Sequence, residues 1–416
     1  MQISFIENGG ALSPLGFHGL SLRAGIKTTG DDIALLWSET DATCAAVFTQ
    51  NAVKAAPVWI SAQHAQNATT RGIVCNSGNA NCCTGEQGER DAIAMCELAA
   101  RVLDCQSHEV LVCSTGIIGH KLPMPNIEKA FAAVDLGASS TRCSSEQMAR
   151  AVMTTDLVPK YCAASFQIGE ITVTIGGQAK GVGMIGPNMK ALGSGQSAAS
   201  SSLHATMLAF LTTDAKVEKQ LLQRALEAAV APSFNSVTVD GDTSTNDSCI
   251  LLANGASGVE ITDIEYSMFV ECLKSVCVEL AKKIARDGEG ATKLVQIEVA
   301  GAATESDAKT IAMTIANSPL VKTAIFGRDP NWGRLAMAAG RSGVAFNPAK
   351  MSISIGEVEV FRDGEPTAFS VSDAELQMAH DDLTIRVSIG EGAAEWTAFT
   401  CDFSYDYVKI NAEYHT

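Results

Sequence analysis

No run of eighteen or more apolar residues occurs in the 416-residue chain, which excludes a membrane-spanning helix. The opening stretch, MQISFIENGG, lacks a basic segment followed by an apolar one, so no export signal is expected. Basic charge is scarce: 30 Lys and Arg face 46 Asp and Glu, a net charge of −16. Such a surface repels phosphate backbones, and with 6% aromatic residues it has little for base stacking, so nucleic acid is not an expected partner. The thirteen cysteines contain no Cys-x-x-Cys spacing, and the adjacent pair Cys82–Cys83 is poorly disposed to share a metal. An odd, scattered set reads as free thiols in a reducing cytoplasm.

What the chain does have is 46% hydrophobic residues in a length that calls for two domains or two interlocked lobes. Periodicity predicts strands at CAAVFTQ, APVWIS, RGIVCNSGNAN, EVLVCSTGIIG, ATMLAFLTTD, KLVQIEVAGA, SISIGEVEVF and LTIRVSIG. ITVTIGGQAKGVGMIGPNM reads as strand, turn, strand, and SVTVDGDTSTNDSCILLAN as strand, polar loop, strand. Glu89–Cys105 reads as a helix whose apolar face holds Ile93, Cys96, Leu98 and Val102. A second helix is expected after an N-cap at Thr213 or Asp214, with Val217, Leu221, Leu222, Ala225 and Leu226 inward. MFVECLKSVCVELAKKIARDGEG is a long amphipathic helix ending at Gly288. Helices and strands do not alternate regularly, so the class is α+β and a Rossmann sheet is not expected.

One tract breaks the pattern. Between GPNM and ATMLAF lie fifteen residues, Lys190 to His204, rich in Ser, Ala and Gly. Such a linker is expected to expose the bond between Ala205 and Thr206. An internal threonine in a strand is ordinarily structural. Cut at that bond, however, Thr206 gains an α-amine with a pKa of about 7.7–8.0, suited to take its own hydroxyl proton. Cys113–Gly116, CSTG, ends a strand with a hydroxyl and an unencumbered backbone N–H side by side. That is a capped turn in the ordinary case and an oxyanion hole in the functional one. Lys180 in QAKG is a candidate for an amino acid carboxylate and Glu289 in RDGEGATK for an ammonium group, though each alone reads as a solvated charge. MTTD, Met153–Asp156, is a further polar loop. Asn411 lies in a polar tail that ordinarily frays.

Taken together, AGIKTTG, VFTQNAVKAAPV, NSGNAN, CSTGIIG, MTTD, AKGVGMIGPNM, ATMLAFLTTDA, TVDGDTSTND, RDGEGATK, SPLVKTAIFGRDPNWGR and YVKINAEY stand in one order over nearly the whole chain. In this the chain resembles the ornithine acetyltransferase family, the bifunctional glutamate N-acetyltransferases of arginine biosynthesis. The resemblance implies a layered α/β sandwich like that of N-terminal-nucleophile hydrolases, with different connectivity. It implies a precursor that cuts itself between Ala205 and Thr206 into an alpha chain, residues 1–205, and a beta chain, residues 206–416. Thr206 is then the nucleophile, and Thr115 with Gly116 the oxyanion hole. Thr154, Lys180, Thr206, Glu289, Asn411 and Thr416 match substrate-binding positions, with neighbouring Thr155 the alternative to Thr154. Two alpha and two beta chains are expected to assemble as a heterotetramer.

The implied reaction moves acetyl from N2-acetylornithine to glutamate through an ester on Thr206. It uses no metal and no organic cofactor, and leaves open acetyl-CoA as a second donor. The chain departs from the family in one respect: PNM there runs directly into ATML, and here the fifteen-residue tract intervenes. Closure entropy grows slowly with loop length, so the tract can loop out, but it can also relax the strain that self-cleavage needs. Two other readings stay open on sequence alone. One is an aminopeptidase or amidase of the same nucleophile class, and the other is an uncut, inactive amino-acid-binding relative.

Overall fold

The structure is a computed structural model, and it describes residues 3–136, 142–192 and 207–413. Two compact units are present, one formed by Met1–Ala231 with Thr243–Leu280, the other by Pro232–Asp242 with Ala281–His415. These units follow packing, not the expected cut after Ala205, and both carry sheet and helix.

The first unit holds β1 (Ser4–Ile6), β2 (Phe17–Leu22), β3 (Ile33–Thr49), β4 (Thr70–Asn79), β5 (Val110–Ile117) and β6 (Lys160–Ile168). After these come β7 (Ile171–Lys180), β8 (Met189–Lys190), β9 (Leu208–Thr213), β10 (Lys216–Val217), β11 (Ser248–Ala253) and β12 (Glu260–Ile261). Ten of them form one sheet in the order β1-β6-β7-β9-β11-β3-β4-β5, with β2 and β8 also paired to the long β3. Its helices are α1 (Ala56–His64), α2 (Gly85–Leu103), α3 (Met124–Ala132), α4 (Ser145–Ala151), α5 (Lys219–Val230) and α6 (Tyr266–Arg286), the last through Leu280. Every residue of β9 and β11 is buried. Their near-continuous apolar runs are what a strand covered on both faces requires. Leu208, Phe210, Ile250 and Leu252 join Val58 of α1 and Met148 and Ala151 of α4 in one core. A second core packs α2 on Leu35, Val74, Val110 and Val112.

The second unit holds β13 (Leu294–Ala302), β14 (Ser352–Ile355), β15 (Val358–Arg362), β16 (Glu365–Pro366), β17 (Asp382–Ser388) and β18 (Ala394–Cys401). They form a six-stranded sheet, order β16-β15-β14-β17-β13-β18. Helices α7 (Glu305–Ala316), α8 (Pro319–Phe326), α9 (Trp332–Gly340), α10 (Val371–Met378) and α11 (Tyr405–Glu413) complete it. Ala308, Ile311, Ala312 and Ile315, at helical spacing on α7, pack on Val295, Ile297 and Ile353. Among the described residues no helix is long and apolar enough to cross a membrane.

The α+β class and most strands stand as expected, and four local expectations are corrected. APVWIS is the helix α1, not a strand: Pro57 sits in its first turn, and Ser61 Oγ exchanges hydrogen bonds with the backbone of Val112 at 2.6 and 2.7 Å. Packing overrides the β-branched pattern there. On α2, Ile93 is 40% exposed, while Ala92, Met95, Cys96, Ala99 and Leu103 face the core. The cap of α5 is Glu218, whose carboxylate accepts from Gln220 and Leu221 N–H. Thr213 ends β9, Val217 lies in β10, and Asp214 accepts from Thr174 and Leu15 N–H instead of capping. Finally, Ser236–Asp240 follows the 3-10 turn Phe234–Ser236 and makes a single bridge from Val237 to Phe399, not a strand.

Candidate active site

The polar ends of three first-unit strands meet at β4, β5 and β7. β4 and β5 run parallel, with Ser77 opposite Thr115 and Gly78 opposite Gly116. The NSGNAN motif builds the turn beyond them. Asn76 Nδ2 donates to Asn79 O at 2.7 Å and Asn76 Oδ1 accepts from Ser114 Oγ at 2.6 Å. Asn79 Nδ2 reaches His120 O and Lys121 O, both at 3.1 Å. From the TSTND loop, Asn246 Nδ2 donates to Ala80 O and Ser114 O at 2.7 and 2.9 Å. Buried amides therefore hold the strand end from both sides, which fixes where Thr115 and Gly116 stand.

Thr115 is fully buried, and Gly116 has φ +133°. Lys180, at the end of β7 and 1% exposed, sends Nζ to Thr115 Oγ1 at 3.1 Å and to Thr154 Oγ1 at 2.9 Å. Asp156 lies behind this pair with a fully buried side chain. Its Oδ1 accepts from Lys160 Nζ at 2.7 Å and from Gly181 N at 2.8 Å. Its Oδ2 accepts from Thr154 N at 3.1 Å and stands 3.7 Å from Lys180 Nζ. Burial pushes the Asp156 carboxyl up, but Lys180, Lys160 and the Gly181 N–H outweigh it and hold the group well below the usual carboxylate range. Lys27 adds a third cation, with Nζ on Ala151 O and Met153 O. Burial lowers its pKa; Asp32 opposes the fall and Lys180 adds to it. Lys180 thus sets a cation beside the Thr115 hydroxyl and the Gly116 N–H, a setting that suits developing negative charge.

The structure thus brings together Thr115, Gly116, Thr154 and Lys180. Of the two threonines weighed for this position, Thr154 accepts from Lys180 Nζ. In the second unit, Asn411 Nδ2 donates to Glu289 Oε2 at 3.0 Å, so those two candidates meet each other on α11 and the loop after α6. Asn411 is not frayed but helical. Ala205, Thr206 and Thr416 lie outside the described residues. Met207 N–H donates to buried Asp247 Oδ1 at 2.9 Å, and Leu208 pairs directly with Lys180. Sequence reasoning missed Lys160, Asp247 and Asn246, and noted Asp156 only as the end of MTTD. Acids and amides within Gly- and Thr-rich loops were the available signal.

The ArgJ family model matches residues 19–416. The chain belongs to the ArgJ family. It is 45% identical over its full length to the full-length arginine biosynthesis bifunctional protein ArgJ of Synechococcus sp.. Its identity to the ArgJ protein of Symbiobacterium thermophilum is 44%, covering 98% of this chain and 99% of that one. Among solved structures, an ornithine acetyltransferase of Mycobacterium tuberculosis complexed with ornithine is 37% identical, covering 45% of this chain and all of that chain, at a TM-score of 0.42.

Proposed function

We infer that this ArgJ-family chain is an acetyltransferase of arginine biosynthesis, a glutamate N-acetyltransferase that takes acetyl from N2-acetylornithine. The observation that carries the reading is a convergence: in a chain 45% identical throughout to a bifunctional ArgJ protein, Thr115, Gly116, Thr154 and Lys180, scattered in sequence, meet in one cluster in which Thr115 and Lys180 are buried.

In the proposed cycle the chain first cuts itself between Ala205 and Thr206. The new amine of Thr206 takes the proton from its own hydroxyl, and Oγ attacks the acetyl carbonyl. The carbonyl oxygen becomes an oxyanion facing the Thr115 hydroxyl and the Gly116 N–H. Collapse breaks the C–N bond, ornithine leaves with the proton, and an acetyl ester remains on Thr206. The glutamate amine then attacks the ester through a second oxyanion at the same donors, the C–O bond to Thr206 breaks, and the amine's proton passes through the Thr206 α-amine to Oγ, releasing N-acetylglutamate and free Thr206. Thr154, Lys180, Glu289, Asn411 and Thr416 are assigned to holding the amino acids. Protein groups carry each step, so no organic cofactor is invoked; acetyl-CoA is a candidate second donor. We place the enzyme in the cytoplasm as a heterotetramer of two alpha and two beta chains.

Mass spectrometry of the purified protein tests this directly. A fragment beginning at Thr206 that gains one acetyl group from acetylornithine and loses it to glutamate is expected. T206A protein should be neither cut nor acetylated, and transfer by that variant would overturn the assignment.

A further inference from the structure

We propose that Asp156 is a positioning residue for acetyl transfer: its buried carboxylate, held from behind by Lys160, fixes Thr154, Lys180 and the Gly181 N–H so that Lys180 donates to Thr115 and the hydrogen of that hydroxyl faces the acetyl oxygen. The inference rests on the reading of Thr115 given under Proposed function.

The polarity of the Lys180–Thr115 contact is fixed by chemistry. An ammonium has three donors and no acceptor, whereas a hydroxyl has one hydrogen and two lone pairs. At 3.1 Å Lys180 must therefore donate and Thr115 Oγ1 accept, which turns the hydroxyl's own hydrogen away from Lys180. A hydroxyl that accepts from a cation is also a stronger donor onward. The same holds at Thr154 Oγ1, 2.9 Å from Lys180.

Such aim needs an anchor, because a lysine side chain is flexible. Asp156 grips Lys180 at both ends. Its Oδ2 stands 3.7 Å from Nζ, and its Oδ1 accepts at 2.8 Å from the N–H of Gly181, the next residue in the chain. Oδ2 also takes the Thr154 N–H, so the second threonine is set by the same carboxylate. Lys160, as buried as Asp156, donates to Oδ1 at 2.7 Å. A carboxylate out of water is tolerated only when its lone pairs are filled this completely. Lys160 fills one on Oδ1, leaving Oδ2 to the Thr154 N–H and to Lys180.

The test uses purified, self-cleaved full-length protein, with rates expressed per free Thr206 amine. Single-turnover acetylation by acetylornithine and deacetylation by glutamate are measured for wild type, D156N, K160M, K180M and T115A. For D156N, both rate constants should fall about tenfold or more and by a similar factor, since both steps pass through the same oxyanion. K160M keeps the carboxylate and loses its clamp, so a severalfold fall in both steps is expected. Where D156N yields no cleaved protein, K160M alone decides. If T115A and K180M are slow while D156N and K160M acetylate at the wild-type rate, with only a lower melting temperature, Asp156 is structural and this inference falls. If T115A and K180M also react at the wild-type rate, the reading of the site itself falls.

Discussion

Gly116 lies against the backbone of Gly78 so closely that a Cβ on it would stand 2.2 Å from Gly78 C and 2.4 Å from Asn79 N. Two glycines in register on parallel strands let the chains approach at the position of the proposed oxyanion donor. Gly116 also has φ +133°, a conformation that L side chains rarely adopt.

The first prediction follows from that contact. G116A must move backbone, not a side-chain tip, and should destabilise the protein by about 3 kcal/mol or more. The fall in denaturation midpoint measures this. Residual acetylation of folded G116A should be far below wild type, because the N–H it carries moves with the strand. A variant of wild-type stability would show that the two strands are not so closely packed.

Asp156 gives a pH dependence. Its carboxyl is depressed in the folded chain relative to the ordinary value of 3.8. A depressed carboxyl contributes stability above its unfolded pKa, and that contribution is lost as pH falls toward the folded one. Stability of the wild type should therefore drop as pH is lowered below about 4, and D156N should lack that part of the drop. Urea midpoints of both proteins from pH 6 downward check it. Parallel curves would mean that Asp156 is not ionised against Lys160 and Lys180.

Parts of this site were open to reading from the chain and parts were not. Thr115, Gly116 and Lys180 end apolar runs beside glycines, and a strand end followed by glycine is where the backbone can present donors. Lys160 reads as one polar residue at the start of an ordinary strand, and only the register of β6 on β7 reveals that it is buried. Asp156 and Asp247 sit in loops whose return toward the sheet is a tertiary matter. In α1, Val58, Trp59 and Ile60 favour strand locally, and only packing on β5 makes the segment a helix. Glu289 and Asn411 look like solvated loop and tail residues; the helix α11 that joins them has no buried residue and so no apolar stripe to announce it.

Cysteine reactivity supplies the next prediction. None of the thirteen cysteines is in a disulfide, and Cys83 is the exposed one. Burial pushes the thiols of Cys44 and Cys75 up to about 12 and those of Cys82 and Cys105 to about 11. Thiolate is the nucleophile, so alkylation of the native protein near pH 8 should label Cys83 well before the others. Mass spectrometry after a short exposure to iodoacetamide reads the order. Early labelling of Cys44 or Cys75 would contradict the packing of the first core.

Gln178 marks a place where stability can be gained. It sits on β7 opposite Phe210 and Tyr161, is 1% exposed, and among the described residues has no hydrogen-bond partner for either atom of its amide. A buried amide without partners costs about 1–3 kcal/mol, and an apolar side chain of similar length removes that cost. Methionine matches its length and flexibility, and the neighbours Leu208 and Phe210 already belong to an apolar core. Q178M should raise the urea midpoint by about 1 kcal/mol of stability, measured on the cleaved protein beside wild type. Q178E, which puts a charge in the same place, should lower it. A midpoint that falls in Q178M would mean that the amide is worth more at this position than the contacts replacing it, against the account given of this face of the sheet.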